Sequence, residues 1–456
     1  MIKIIISFNL VLFSFAAFFN PNVSHNENPM DNMPMCVAST QMGQTSGFGN
    51  NFPPFEIAKT TPSVFGLDDN KAYSMPTLSQ TPKGEILLSW TEKDEKGMVA
   101  FCFSTSNDKG KTFSDKKVIF LGAGINNSRL FRAKLLAKKD GSLVAVFANR
   151  PDAQPMPTGT QPQAQQRPQG SPPQSQGGGG RGGRGGGRSS ELVYVVSKDA
   201  GNTWTNPKSV DSDTSKLMRG FFDAIVLPND EIAVVYLKDV KGSTKHEERD
   251  LRMVTTKNGV FQPEKLLDAV VCDCCNINML IDANGALNVY YRDNNDDIRD
   301  IARLTSKDNG ETFSKSQIVH NDGWKIAGCP HSGAISSQHG KSALIAWYSG
   351  TETESGIRLV TQEGKKLFVL NDPSVKNPAL TTSAQVSAML WEQGSDKTQL
   401  IFRTINDDKV SGNTIVEGSE NATNLTSLII GNQLLIAYEV KQENKMNTLK
   451  VTTTSL

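Results

Sequence analysis

Three eight-residue segments of this chain are near-copies of one another, and they constrain its fold more than any other feature. They are Ser106-Asn107-Asp108-Lys109-Gly110-Lys111-Thr112-Phe113, Ser197-Lys198-Asp199-Ala200-Gly201-Asn202-Thr203-Trp204 and Ser306-Lys307-Asp308-Asn309-Gly310-Glu311-Thr312-Phe313. All fit Ser-x-Asp-x-Gly-x-Thr-aromatic. The pattern describes a β-turn that satisfies itself. The Asp carboxylate accepts backbone N–H groups across the turn, Gly permits positive φ, and the aromatic plugs the space between neighbouring strands. Such a turn recurring along a chain marks a repeat of one supersecondary unit.

The segments resemble Asp boxes, the turn motif of the sialidase-like (BNR-repeat) β-propellers. The resemblance covers roughly residues 55–456 and implies an all-β fold of four-stranded blades around an axis. In that family the Asp box is structural and lies away from the active site. Asp108, Asp199 and Asp308 are therefore expected to be structural.

A second repeated feature counts the blades. Each should carry an apolar hairpin strand ending in an aromatic. The candidates begin with Ile86-Leu87-Leu88-Ser89-Trp90, Leu143-Val144-Ala145-Val146-Phe147 and Ile232-Ala233-Val234-Val235-Tyr236. They continue with Leu287-Asn288-Val289-Tyr290-Tyr291, Leu344-Ile345-Ala346-Trp347-Tyr348, Val386-Ser387-Ala388-Met389-Leu390-Trp391 and Leu434-Leu435-Ile436-Ala437-Tyr438. Most follow a turn such as Asp140-Gly141 or Asn284-Gly285. Successive aromatics are 57, 89, 55, 57, 43 and 47 residues apart. The 89-residue gap holds a low-complexity stretch, Pro151 to Ser190, rich in Gly, Pro, Gln and Arg. It has too little apolar surface to pack and is expected to be a disordered loop insert. Seven units predict a seven-bladed propeller, one blade more than sialidases proper, with six blades as the alternative. The last unit is expected to borrow its fourth strand from Phe55 to Thr61, a clasp that closes the ring.

The resemblance also implies a site. A sialidase grips the substrate carboxylate with three arginines, uses a Tyr activated by a Glu as nucleophile, and an Asp as acid and base. Where the family's Arg-Ile-Pro motif falls, this chain reads Ser74-Met75-Pro76. Neither Ser nor Met can supply two-pronged guanidinium–carboxylate pairing. Losing one such contact costs about 2–5 kcal/mol of binding. A true exo-sialidase is not expected, no catalytic residue is assigned, and glycoside hydrolase activity is left open. Other arginines lie at the ends of the apolar hairpins: Arg129, Arg132 and Arg219 before them, Arg292 and Asp293 after one, with Arg299 in the same loop region. Either they bind a glycan or other anion at the channel mouth, or they are its salt-bridged lining.

The most unusual local feature is Cys272-Asp273-Cys274-Cys275, followed by Gly328-Cys329-Pro330-His331. Aligning the fourth and fifth repeats on Tyr291 and Tyr348 puts Cys272 over Cys329 and Cys274 over His331. Adjacent blades would then bring these groups together near the axis. The pairing, with Tyr291-Arg292-Asp293 and Asp322-Gly323-Trp324, resembles a secreted sialidase-like subgroup, which implies no activity. Two readings stay open. One is a disulfide between Cys329 and one of Cys272, Cys274 or Cys275. The other is a metal site built from Cys272, Cys274, Cys275, Cys329 and His331, for which thiolates favour copper, as Cu(I), or zinc. Cys102 sits in an apolar strand and reads as packing.

Lys3 and the apolar run Ile4 to Phe19 read as a secretory signal peptide over residues 1–19. Residues 20–54 read as a disordered arm rich in Asn, Pro and Met. An extracytoplasmic location, periplasmic or secreted, follows as an expectation, with no transmembrane span after signal cleavage. With 48 basic and 47 acidic residues, the net charge of +1 argues against bulk electrostatic binding of nucleic acid. The leading functional expectation is a sialidase-like propeller that binds a glycan or small anionic ligand. The alternatives are soft-metal binding or delivery, and a scaffold with an envelope protein partner.

Overall fold

The computed structural model describes residues 55–155, 190–215, 217–243, 248–328, 330–443 and 446–456. The signal peptide, the Met-rich arm, Cys329 and all but the ends of the 151–190 insert lie outside them. Every regular element among the described residues is a strand.

The strands form seven sheets of at least four strands each, antiparallel but for one added edge strand, arranged as the blades of a propeller. The strand alternative of six blades is thereby set aside. The apolar hairpin strands predicted from sequence are the second strands, such as Ile86–Lys93, Leu143–Asn149 and Ser387–Gln393. They are buried along nearly their whole length because sheets pack on both their faces, which is why they read as apolar runs and not as alternating ones. Trp90, Trp347 and Trp391 lie fully buried in them.

The first strands of the blades surround the axis. Four of them slip register near their start, at Ser74/Thr77, Gly220/Asp223, Lys376/Ala379 and Thr423/Thr426. Each slip carries one residue at positive φ: Met75 (53°), Phe221 (51°), Asn377 (51°) and Asn424 (55°). A bulge of this kind re-aims side chains and bends the strand. In a ring of blades, it re-aims them at one end of the axis.

The N-terminal segment closes the ring, but differently from the single clasp expected. Thr61–Pro62 pairs antiparallel with Thr453 and Thr452 as the outer strand of blade 7. Glu56–Ala58 runs parallel to Thr414–Val416 and extends blade 6. One short stretch thus covers the outer edges of two blades, leaving neither open for pairing.

Antiparallel hairpins put two sets of loops at opposite ends of every blade. One end holds the first-to-second and third-to-fourth strand turns, including the three Asp boxes. The other, called the mouth face below, holds the second-to-third strand loops and the linkers between blades. Asn149 and Glu191, directly paired on either side of the insert, end their strands at the mouth face.

Each Asp box is closed within itself. Asp108 accepts from Ser106 Oγ (2.8 Å), the Thr112 amide (3.0 Å) and Thr112 Oγ1 (2.6 Å). Asp199 and Asp308 repeat the arrangement with Ser197 and Thr203, and with Ser306 and Thr312. Gly110, Gly201 and Gly310 lie at φ +85°, +80° and +85°. A Cβ there would meet Leu435 at 2.8 Å, Phe103 at 2.3 Å and Met253 at 2.5 Å, all in the preceding blade. The glycine is thus required twice, for its dihedral and for the approach of one blade to the next.

Candidate functional site

The mouth face is irregular where the other end is repetitive. The first strand of blade 2 is split into Ile125–Asn126 and Lys134–Ala137, which pair with Ala148 and Val146 on either side of Phe147. Residues 127–133 therefore loop out toward the axis. This segment reaches five other blades or their linkers. Asn127 Nδ2 donates to Thr91 of blade 1 (3.2 Å), and Phe131 packs on Phe221 of blade 3 with centroids 5.1 Å apart. Asn276, in the linker to blade 4, donates to the Arg129 carbonyl (2.8 Å). Arg129 itself donates to Thr423 Oγ1 and Asn424 Oδ1 of blade 7 and lies 3.9 Å from Glu392 of blade 6.

Arg129 and Arg132 sit together on this segment. Arg129 keeps 39% of its side chain exposed. Arg132 is half-buried and donates to the carbonyls of Leu425 (3.4 Å) and Asn424 (3.3 Å). Burial and then the charge of Arg129 lower Arg132 to about 10. Lys376 is lowered by burial, with Arg129 adding to the effect against Glu392. Beneath these cations, Glu392 and Glu439 are buried and accept from amides and side-chain amides: Glu392 from Asn377 and the Asn424 amide, Glu439 from Asn424 and Asn447. Sequence reading missed these two glutamates. The available signal was an acidic residue directly after an apolar strand's aromatic, in Trp391-Glu392 and Tyr438-Glu439.

The other arginines expected at the mouth have different surroundings. Arg219 is 2% exposed; its guanidinium pairs with Asp211 and donates to the carbonyls of Ser215, Leu217 and Asp213. Arg292 is 1% exposed, donates to the carbonyls of Ser332, Arg299 and Tyr348, and lies over Trp324 at 5.0 Å. Both arginines spend their donors on the protein. Asp293 accepts from Asn294 and Asn295, and burial raises its carboxyl. Ser74, where the resemblance expects an arginine, hydrogen bonds to Thr91 at 2.9 Å. Tyr236 and Tyr291 are buried within the blades and hydrogen bond to the half-buried Glu264 and Asp268, and burial raises both phenols.

The cysteine cluster lies in the linker from blade 3 to blade 4, also on the mouth face. Cys272, Cys274 and Cys275 are all buried, and their sulfurs lie within 4.8 Å of one another. Cys272 Sγ and Cys275 Sγ are 2.9 Å apart. The linker is tied down at its start. The Cys272 amide donates to the Arg292 carbonyl (3.1 Å), and Arg249 donates to the Asp273 carbonyl. Hydrogen bonds from Cys274 and Cys275 lower the Cys272 thiol well below its ordinary value, with Arg292 and Arg299 helping. Burial raises Cys275. Arg299 feels the reciprocal effect: burial pulls it down, but Cys272, Asp273 and Cys275 together outweigh that and raise it. None of the four described cysteines is in a disulfide. His331 is exposed and is not in the group of converging ligand atoms. Cys102 is buried in blade 1, and burial pushes its thiol up to about 12.

Residues 180–399 match the BNR repeat-like domain family, a stretch that takes in blades 3 to 5 entire. No curated protein matches the chain. Similar solved structures include a protein of unknown function from Dyadobacter fermentans, with 11% identity over 88% of this chain and 99% of that one, TM-score 0.47. A NanB sialidase from Streptococcus pneumoniae has 12% identity over 88% and 70%, TM-score 0.45. An intramolecular trans-sialidase from Ruminococcus gnavus, in complex with oseltamivir carboxylate, has 10% identity over 84% and 94%, TM-score 0.44. The ring of blades defines the fold class, a seven-bladed β-propeller, and residues 180–399 of it are similar to the BNR repeat-like domain.

Proposed function

We propose that this chain is an extracytoplasmic propeller that binds an anionic ligand, a carboxylate-bearing glycan, at its mouth face without hydrolysing it as an exo-sialidase does. The observation that carries this reading is the pair Arg129 and Arg132 on one looped-out segment. Two guanidinium groups are held close enough for one to lower the other, with Lys376 nearby. Like charges gathered in a partly desolvated site favour an anion between them. The hydrogen bonds of Arg132 to carbonyls are long, at 3.3 and 3.4 Å, so exchanging them for a carboxylate costs little. The absence of hydrolysis is supported by Ser74 in the arginine's place and by the burial of Tyr236 and Tyr291, the tyrosines with a carboxylate partner. The extracytoplasmic location rests on the apolar N-terminal run.

Calorimetry with N-acetylneuraminic acid and neutral N-acetylglucosamine tests the reading. The acid should bind and the neutral sugar should not, and affinity should fall with added salt. Arg132→Ala should cost about 2–5 kcal/mol of binding. Equal binding of both sugars, or unchanged affinity in Arg129→Ala and Arg132→Ala, would sink it. Release of fluorophore from a fluorogenic sialoside would overturn the non-hydrolytic part.

A further inference from the structure

We propose that Cys272, Cys274 and Cys275 form a binding site for a thiophilic d10 cation, Cu(I) or Zn(II), on the mouth face of the propeller. Three sulfurs from four consecutive residues converge within 4.8 Å. Their residues are 1%, 3% and 2% exposed. Thiolates bound to one such ion at about 2.3 Å stand about 3.8 Å apart in tetrahedral geometry. The 2.9 Å between Cys272 and Cys275 then needs to open by about 1 Å, within reach of side-chain torsions.

Two further observations favour an ion over packing. Arg299 is 4% exposed, and its Nε and Nη1 have no hydrogen-bond partner. Its Nη2 reaches Asp297 at 3.5 Å, and the two remaining buried donors are costly unless more negative charge accumulates beside them. A trithiolate bound to Zn(II) carries one negative charge, and one bound to Cu(I) carries two. Arg299 balances the first, and Arg299 with Arg292 the second. The linker is also held before any ion arrives, by the Cys272 amide on Arg292, the Asp273 carbonyl on Arg249, and Asn276 on the Arg129 carbonyl. Ligands pre-positioned by a supporting shell are what a resident metal site needs. A disulfide within the trio would use two sulfurs and strand the third; an ion uses all three.

The test uses the full chain, reduced and stripped by chelation, with Zn(II) and Cu(I) titrated in separate arms against a competing chelator. One equivalent of either ion should bind, and the arm that binds more tightly identifies it. X-ray absorption on the loaded wild type should count three sulfurs. Cys274→Ser should lose stoichiometric binding, and Cys102→Ser should bind as wild type does. Arg299→Met keeps every sulfur and should weaken affinity by about 10- to 100-fold. Failure of both ions to bind at one equivalent would overturn the proposal. So would binding that survives replacement of all three cysteines by serine, or an absorption spectrum without sulfur neighbours. If Cys274→Ser does not fold, the sulfur count on the wild type decides alone. None of these outcomes touches sugar binding at Arg129 and Arg132.

Discussion

The two ends of the propeller are built on different rules. At the Asp-box end, three turns in three blades repeat the same residues, the same hydrogen bonds and the same glycine packed on the preceding blade. At the mouth face, the linkers carry different side-chain chemistry. One buries a salt bridge between Arg219 and Asp211, one carries three cysteines, and a strand of blade 2 opens to send residues 127–133 toward the axis. The repeated end satisfies its polar groups locally, so each copy stabilises its own turn. The irregular end satisfies them across blades, so each group depends on the whole ring. Both candidate binding features lie on the irregular end.

This difference predicts a graded response to substitution. The largest effect belongs to the mouth face. Arg219→Met leaves Asp211 buried without its counter-charge and should cost about 3–5 kcal/mol in denaturant unfolding. A loss below about 1 kcal/mol would show that the linkers tolerate change as exposed loops do. A smaller effect belongs to the blade contact at the other end. Gly201→Ala forces a Cβ to within 2.3 Å of the Phe103 ring at φ +80°. It should cost about 3 kcal/mol, from dihedral strain and overpacking together. Gly141→Ala has a similar dihedral, φ +85°, but open space around it, so about 1 kcal/mol is expected from strain alone. Equal losses in the two variants would remove packing between blades as the reason for the box glycine.

The smallest effect is a matter of pH. Hydrogen bonds from Thr112 and Thr203 hold the exposed Asp108 and Asp199 carboxyls down at about 2, and Thr312 holds Asp308 lower still. A free Asp titrates near about 3.9. The boxes therefore contribute fully above about pH 4 and lose their contribution as pH falls toward 2. Urea midpoints of the triple Asp→Asn variant should lie below wild type at pH 7, with the gap narrowed by about pH 2 and closed only below it. Midpoints that differ equally at both pH values would show that the carboxylates are not what stabilises the turn.

Much of the fold was legible because its signals are local. The apolar second strands and the Asp-box spacing are read from runs of five to eight residues, and counting them yields seven blades. The 57-residue offset between Tyr291 and Tyr348 pointed to the cysteine linker, although His331, which it placed beside Cys274, is exposed and outside the converging group. The roles of the arginines were not legible. Arg129 and Arg219 look alike in sequence, each near a hairpin start, yet one is partly exposed at the mouth and the other is fully paired inside. What separates them is Asp211 eight residues away and Asn424 nearly three hundred residues away.

By itself, then, the sequence determined the repeat: where each blade begins, which strands are buried on both faces, and which turns close on their own Asp. Those features depend on residues within one hairpin, whose spacing is written in the chain. Only the tertiary structure decided which charges are spent and which are not. It set Arg129 against blades 6 and 7, gathered three sulfurs beneath Arg299, and shared the N-terminal clasp between two blades. Closing a ring brings together residues from its two ends, and no local pattern records such a meeting. It follows from how seven sheets share one axis.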